Sequence, residues 1–299
     1  MSFLNPVSEP VLMFSSTDTG APKINYASRA AGDVKTVLKA CLVTGYGTKQ
    51  SAGWAMLNET EFAAEFSSPS IYMADYLLSV DDNSPNETFF NYKFQSQLIF
   101  PAYSKLDKWI DYVNRSSAKN TWTLLVTAQG FLWIEKFLHE SLDIETCRVL
   151  YFGRVKSALV DDGGKNISFY NFGCNGGVPQ VSAFFYQEPQ HVVLNSYSNT
   201  QKNSPILSLL KKESINRSVM AVEPSSSIYL SSDTLLAEMM PIIMTKQNDA
   251  SKLFGLRQVM FNNRPALYFC IGTSYNYPSQ DSLINVCDGC YVYLDNWSY

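Results

Sequence analysis

The sequence predicts a mainly β protein, an α+β variant with few short helices, built from antiparallel sheets in a sandwich- or barrel-like arrangement. Three observations predict it. Aromatic residues make up 14% of the chain and charged residues only 17%, against an ordinary ~25% charged. Short apolar runs rich in Val, Ile, Tyr and Phe recur throughout, separated by stretches rich in Asn, Ser and Pro. Apolar residues at helical spacing are confined to a few segments. A chain of 299 residues has room for one or two β-rich domains. The expected division is 1–150, with a helix near 32–43, and 151–299, although no linker marks the boundary.

The elements follow in order. Residues 1–28 read as extended, with a turn at Thr17-Asp18-Thr19-Gly20-Ala21-Pro22 where Gly20 frees the backbone and Pro22 restricts it. Residues 30–43 read as a helix: Val34, Val37, Leu38, Cys41 and Leu42 share a face, Asp33 serves as N-cap and Gly45 as the stop. Gly53-Trp54 then leads into a hairpin about Asn58-Glu59-Thr60. Residues 71–80 form a strand ending at Asp81-Asp82-Asn83, an acidic pair read as a solvated turn, and 86–100 are β-like. Residues 104–116 form a short amphipathic helix with Leu106, Trp109, Ile110 and Val113 on one face. Two strands flank Gln129-Gly130, and two more flank Asp162-Gly163-Gly164. Apolar runs at 181–186, 192–194 and 228–230 continue the pattern, with one helix expected at 204–215. Residues 234–244 are ambiguous, because Pro241 forbids an uninterrupted helix. The two final segments, 266–278 and 290–299, are strand-like.

Charge and composition narrow the function. The net charge is −4 and no basic stripe exists, so direct nucleic-acid binding is not expected. The first residues lack the positive region of a signal peptide, and uncharged runs such as 120–134 are too short or too polar to span a bilayer. A soluble protein made in the cytoplasm, with reduced thiols and no membrane partner, is the expectation.

No catalytic, cofactor-binding or metal-ligating residue is assigned. The glycines of Gly45-Tyr46-Gly47 and Gly53 follow a helix rather than opening one, so they do not make a phosphate loop. Cys287-Asp288-Gly289-Cys290 is a C-x-x-C motif, which serves thiol chemistry at a helix start or half of a zinc site. Here a strand-like tail follows it, and Asp288-Gly289 reads as a hairpin turn. The two histidines, His139 and His191, read as strand-edge residues with no nucleophile elbow beside them. Neither Asp81-Asp82 nor Asp161-Asp162 has the alternating ligands of a calcium loop. Met239, Met240 and 242–244 suit a contact surface or a core equally. The interface candidates are aromatic: Trp54, as a core or interface anchor, and Tyr291, Tyr293, Trp297 and Tyr299 in the tail. The tail either docks onto a neighbouring subunit or closes the protein's own sheet.

The stretch Phe14 to Ile24 (FSSTDTGAPKI), the helix ending in Gly45-Tyr46-Gly47, the Gly53-Trp54 pair and the strand ending in Asp81-Asp82 together resemble the opening of a family of tailed-bacteriophage virion proteins. Tyr151 to Ser157 (YFGRVKS) is similar to a strand start in the same family, with Arg154 where the family pattern has Asp. The strong part of the resemblance covers roughly 14–82, and a weaker part extends to about 160. It implies a virion structural protein, assembled in the host bacterial cytoplasm, with no catalytic residue or cofactor. Its implied partners are copies of itself and other virion proteins, in the tail or baseplate region, or alternatively as capsid decoration or in the neck and collar. A host surface glycan is a further partner class, reached through exposed Trp and Tyr. A reading of a different kind is a cytoplasmic thiol or zinc enzyme using Cys287 and Cys290.

Overall fold

In the computed structural model, the described residues are 8–26, 28–74, 76–85, 88–94, 97–98, 120–139, 144–154, 156–157, 167–173, 191–195, 200–203, 223–224, 227–229, 235–238, 242–247, 255–275 and 285–299. Strands β1 (Ser8–Pro10) and β2 (Leu12–Ser15) open the chain. Helix α1 (Asp33–Lys39) follows and widens into a π-helical turn over Ala40–Thr44. Then come β3 (Ala55–Leu57), β4 (Ala63–Ser67), a 3₁₀ turn over Ile71–Met73, β5 (Tyr76–Asp81), β6 (Phe89–Phe94) and β7 (Gln97–Leu98). Three long strands are next: β8 (Thr121–Thr127), β9 (Gly130–His139) and β10 (Ile144–Arg154). The second half holds β11 (Lys156–Ser157), β12 (Ile167–Gly173), β13 (His191–Asn195), β14 (Thr200–Asn203), β15 (Glu223–Pro224), β16 (Ser227–Tyr229), β17 (Leu235–Glu238) and β18 (Ile242–Gln247). It ends in β19 (Arg257–Phe261), β20 (Arg264–Tyr275), β21 (Asn285–Tyr293) and β22 (Asn296–Ser298).

The strands β3 to β7 form an antiparallel meander. In the larger sheet β2, β8, β9 and β10 are antiparallel neighbours. Beyond β10 the sheet forks, to β12, β13 and β14, and through one parallel pairing, Cys147 with Ile271, to β20, β21, β18 and β15. The pair β1–β22 joins the two ends of the described chain. The protein is therefore mainly β and antiparallel, as expected, but the barrel form is not adopted: the described strands make open sheets. The division expected near residue 150 falls inside β10, which bonds β9 along one edge and β12 along the other.

Where their burial is described, the apolar residues of the long strands are buried on both faces. Along β8, Trp122, Leu124 and Val126 enter one core and Leu125 enters another. Along β9, Phe131 and Trp133 take the first, Leu132 and Ile134 the second. The first core is completed by Val34, Val37 and Leu38 of α1 and by Phe66, Leu78 and Val80 of the meander. The second is completed by Leu267, Phe269 and Val292, and by Trp297 and Tyr299 from the C-terminal tail.

Strands β9 and β10 approach closely at Gly130 and Gly153, which lie opposite one another. A Cβ on Gly153 would sit 2.6 Å from the Gly130 Cα and 2.8 Å from both the Gln129 carbonyl oxygen and the Tyr151 hydroxyl. Gly153→Ala is therefore expected to destabilise the fold by about 1–3 kcal/mol, as overpacking does. Urea unfolding would read this as a lower midpoint at unchanged slope, and an unmoved midpoint would show that the two strands separate freely.

Several expectations are corrected. Asp33 is the first helical residue rather than the N-cap; the N-cap is Gly32, at φ 87, and the Asp33 carboxylate accepts the Ala30 N–H. Asp82 is not in a solvated turn but fully buried. Asp288-Gly289 is not a hairpin turn: β21 runs straight through it, hydrogen-bonded to β18 and β20 on its two edges, so the sheet on both sides overrides the local turn chemistry. The ambiguous 234–244 contains two strands, β17 and β18. The expected helices at 104–116 and 204–215, the Asp162-Gly163-Gly164 turn, the run at 181–186 and Met239-Met240 lie outside the described residues.

Candidate functional site

The two segments that carry the glycine patterns meet in space. The turn after β2 and the loop after the π-helical turn pack backbone against backbone at Gly20 and Gly47, at φ 80 and 55. A Cβ on Gly20 would lie 3.2 Å from the Gly47 Cα and nitrogen, so glycine is required here both for its dihedrals and for the contact. The side chains beside this contact form a closed set. The Asp18 carboxylate accepts the Ser15 N–H at 2.7 Å and the Tyr46 hydroxyl at 2.7 Å. The same oxygen lies 2.7 Å from the Lys49 ammonium, which also donates to the Met13 carbonyl at 2.7 Å.

The backbone register shows what the set does. The inner edge of β2 pairs with β8, and there the Ser16 N–H donates to the Trp122 carbonyl. Neighbouring residues of a strand point their polar groups to opposite edges. The Ser15 N–H and Met13 C=O therefore lie on the outer edge of β2, where Asp18, Tyr46 and Lys49 satisfy them. An uncovered strand edge is a template for unwanted pairing, and this cluster covers it.

Electrostatics agree with a structural use. Burial would raise the Asp18 carboxyl, but hydrogen bonds from Lys49 and Tyr46 outweigh it and hold the group below its ordinary value. Burial, then the bond to Asp18, pushes the Tyr46 hydroxyl well up, so it remains a donor. Burial likewise pushes up the Cys41 thiol, which suppresses its nucleophilicity. Because the Asp18 value is lower in the folded state than in the unfolded, its contribution is present at neutral pH and is lost as pH falls through the carboxylate range, about 4 and below. Asp18→Asn is expected to cost about 1 kcal/mol or less at pH 7 and to flatten the acid limb of the stability curve. An acid limb as steep as in the original protein would remove Asp18 from that role.

The aromatic residues singled out from the sequence fall in different places. Trp54 is buried in the first core, its ring centroid 5.8 Å from Phe131. Trp297 and Tyr299 are buried together in the second. The Tyr299 hydroxyl bonds the Thr127 hydroxyl at 2.7 Å, and the Trp297 indole donates to the Tyr293 carbonyl at 2.9 Å. Tyr291 is buried and stacks on Phe261 at 4.0 Å. Tyr293 is half-buried, with the Arg264 guanidinium 3.7 Å from its ring centroid. Trp54, Tyr291, Trp297 and Tyr299 are thus buried within the chain, and the tail strand β22 pairs with β1 in a two-stranded sheet of its own.

Arg264 was not legible as a functional residue. It pairs with Asp295, Nε to Oδ2 at 2.8 Å, and donates to the Asn296 carbonyl at 3.0 Å. Since the Asp295 carbonyl accepts the Val11 N–H on the side of β1, the Asn296 carbonyl faces the other edge of β22. Arg264 thus covers that edge as Lys49 covers β2. Cys287 and Cys290 lie within β21, and His139 and His191 at the end of β9 and the start of β13; their side chains lie outside the described residues. Among the described residues no three of His, Cys, Asp and Glu gather to hold a metal ion. Comparison with protein-family models, with curated proteins and with solved structures finds no match.

Proposed function

We propose that the chain is a structural protein of a tailed-bacteriophage virion, working by self-assembly and by docking onto other virion proteins, in the tail or baseplate region. Capsid decoration and a neck or collar position are the alternative placements of the same role. In this reading the protein acts without catalysis or cofactor, and without direct contact to nucleic acid or membrane.

The observation that carries the reading is the fit between the two segments on which the resemblance rests. The Asp18 turn and the Gly45-Tyr46-Gly47 stop pack on one another, and their polar side chains seal a sheet edge rather than open onto a ligand. A protein present in many copies needs its strand edges controlled so that it joins only where assembly requires. The thiol or zinc enzyme has less support, because Cys287 and Cys290 lie inside a strand paired on both edges rather than at a helix start, where a thiol pKa is lowered.

Imaging of purified virions by cryo-electron microscopy tests the proposal. The expected result is density for this chain in defined symmetric copies. A protein found only in the lysate of infected cells, and missing from particles, would overturn it.

A further inference from the structure

Two strand edges, those of β2 and β22, are sealed by ionic side chains, while among the described residues no ionic side chain seals the outer edge of β19. β19 hairpins onto β20 through Asn262 and Asn263, at φ 48 and 60, the backbone of a two-residue primed turn. In such a hairpin the closing pair, Phe261 with Arg264, exchanges both hydrogen bonds, and the exchange recurs at Val259 and Arg257. The N–H and C=O groups of Gln258 and Met260 therefore point outward. They make no hydrogen bond to any described residue, and Met260 is 69% exposed. From these observations we propose that β19 is a self-association edge, pairing antiparallel with β19 of a second copy of this chain about a twofold axis at Val259. The proposal rests on the self-assembly reading and gives it a surface.

The register follows from the backbone and the charge. Only the outward residues can exchange hydrogen bonds, so Gln258 must face Gln258, Met260 or another outward position of the second copy. The pairing centred on Val259 places Gln258 opposite Met260 of the other copy and keeps all five residues of each strand paired. It keeps the two Arg257 side chains at opposite ends, each guanidinium staying over the Tyr268 ring of its own chain, 5.1 Å from the centroid. Like charges directly across a ladder would oppose pairing. Each Met260 lies diagonal to the Met260 of the second copy, which covers part of an exposed apolar side chain. The contact is isologous and closes on itself. A five-residue edge falls short of the ~1,200 Å² typical of a stable interface, so the pair is weak in dilute solution and strengthened by the high local concentration in an assembly.

The test uses the full chain. Val259 is the central, non-hydrogen-bonded pair, where Cβ atoms approach closely enough for a disulfide. Under mild oxidation Val259→Cys is expected to form covalent dimers at least tenfold faster than Ile71→Cys, a control at an 82% exposed position away from this edge. Adding Met260→Pro should abolish the dimer; the N–H it removes points outward, so the hairpin keeps its own bonds. Met260→Lys provides the same test without altering the backbone, through repulsion across the diagonal. Val259→Cys dimers forming no faster than the control, or persisting in both Met260 variants, would overturn the edge pairing. Either result would leave the particle-localisation test to decide the virion reading independently.

Discussion

Replacing Asp82 by alanine is expected to destabilise the protein by about 3–5 kcal/mol, the cost of breaking a buried ion pair on one side. The residue directly follows β5 and has no exposed surface. One carboxylate oxygen pairs with the Arg29 guanidinium and accepts the Thr88 hydroxyl at 2.6 Å. The other accepts the N–H groups of Val34 at 2.8 Å and Lys35 at 3.2 Å, so it caps the first turn of α1 from 48 residues away. The backbone of Asp82 adds two more ties, to Gly32 and Phe62. The alanine variant leaves the Arg29 side chain, 3% exposed, without its carboxylate and leaves the helix amides without an acceptor. Asp81→Ala should be nearly neutral, since Asp81 is half-buried and, among the described residues, its carboxylate accepts the Asn83 N–H alone. Urea denaturation of the two variants side by side measures the contrast. The double variant Arg29→Met with Asp82→Leu should recover only the share of the loss due to the unpaired Arg29, because the α1 amides and the Thr88 hydroxyl stay without an acceptor. A loss below about 1 kcal/mol in Asp82→Ala would mean that water reaches Arg29 readily and that the helix does not depend on this cap.

Asp82 also shows where sequence reasoning stops. Two adjacent acids at a strand end read as a solvated pair, yet successive residues of a strand point to opposite faces. That alternation, applied one residue further, marks one of the two as inward. Its partners could not be read locally: Arg29, Thr88 and the α1 amides converge only once the meander has packed on the helix. The strands themselves were legible, because runs such as Thr121–Thr127 combine β-branched and aromatic residues with few charges. The helix stop was legible too, since Gly45 sits at φ 77 directly after the last helical residue. The C-terminal tail was legible as a strand but not as to its partner. β22 pairs with β1, at the other end of the described chain, and no local pattern encodes a contact of that sequence separation. Asp288-Gly289 fails in the opposite direction: a strong turn signal is overruled by partners on both edges. The hairpin at Asn262-Asn263 carries a weak sequence signal because it lacks glycine, although Asn tolerates the left-handed region both positions occupy.

Trp54→Ala is expected to cost about 3–5 kcal/mol, as truncation of a large buried aromatic does. Gly53, at φ 77, turns the chain so that the indole enters the first core, where it is 3% exposed. The Trp54 N–H donates to the Leu42 carbonyl at 2.9 Å, fixing the strand start to the end of the π-helical turn. Its ring meets Phe131 and Phe152 edge-on, and its indole N–H donates to the Thr127 carbonyl at 3.3 Å. One side chain thus joins the helical layer to β8, β9 and β10. Trp54→Phe retains an aromatic ring and should cost less than the alanine variant, losing the hydrogen bond and some volume. That order, alanine well below phenylalanine in urea midpoint, is what a core anchor requires. Unchanged monomer stability in Trp54→Ala, with assembly lost, would instead make Trp54 a docking residue and would mean that the first core opens in the assembled state. The burial of the ring against two strands of the central sheet favours the first outcome. The glycine-rich stretch from Cys41 to Trp54 then acts as a device for delivering one tryptophan to a junction, with Gly45 ending the helix, Gly47 allowing the Asp18 loop to approach and Gly53 aiming the indole.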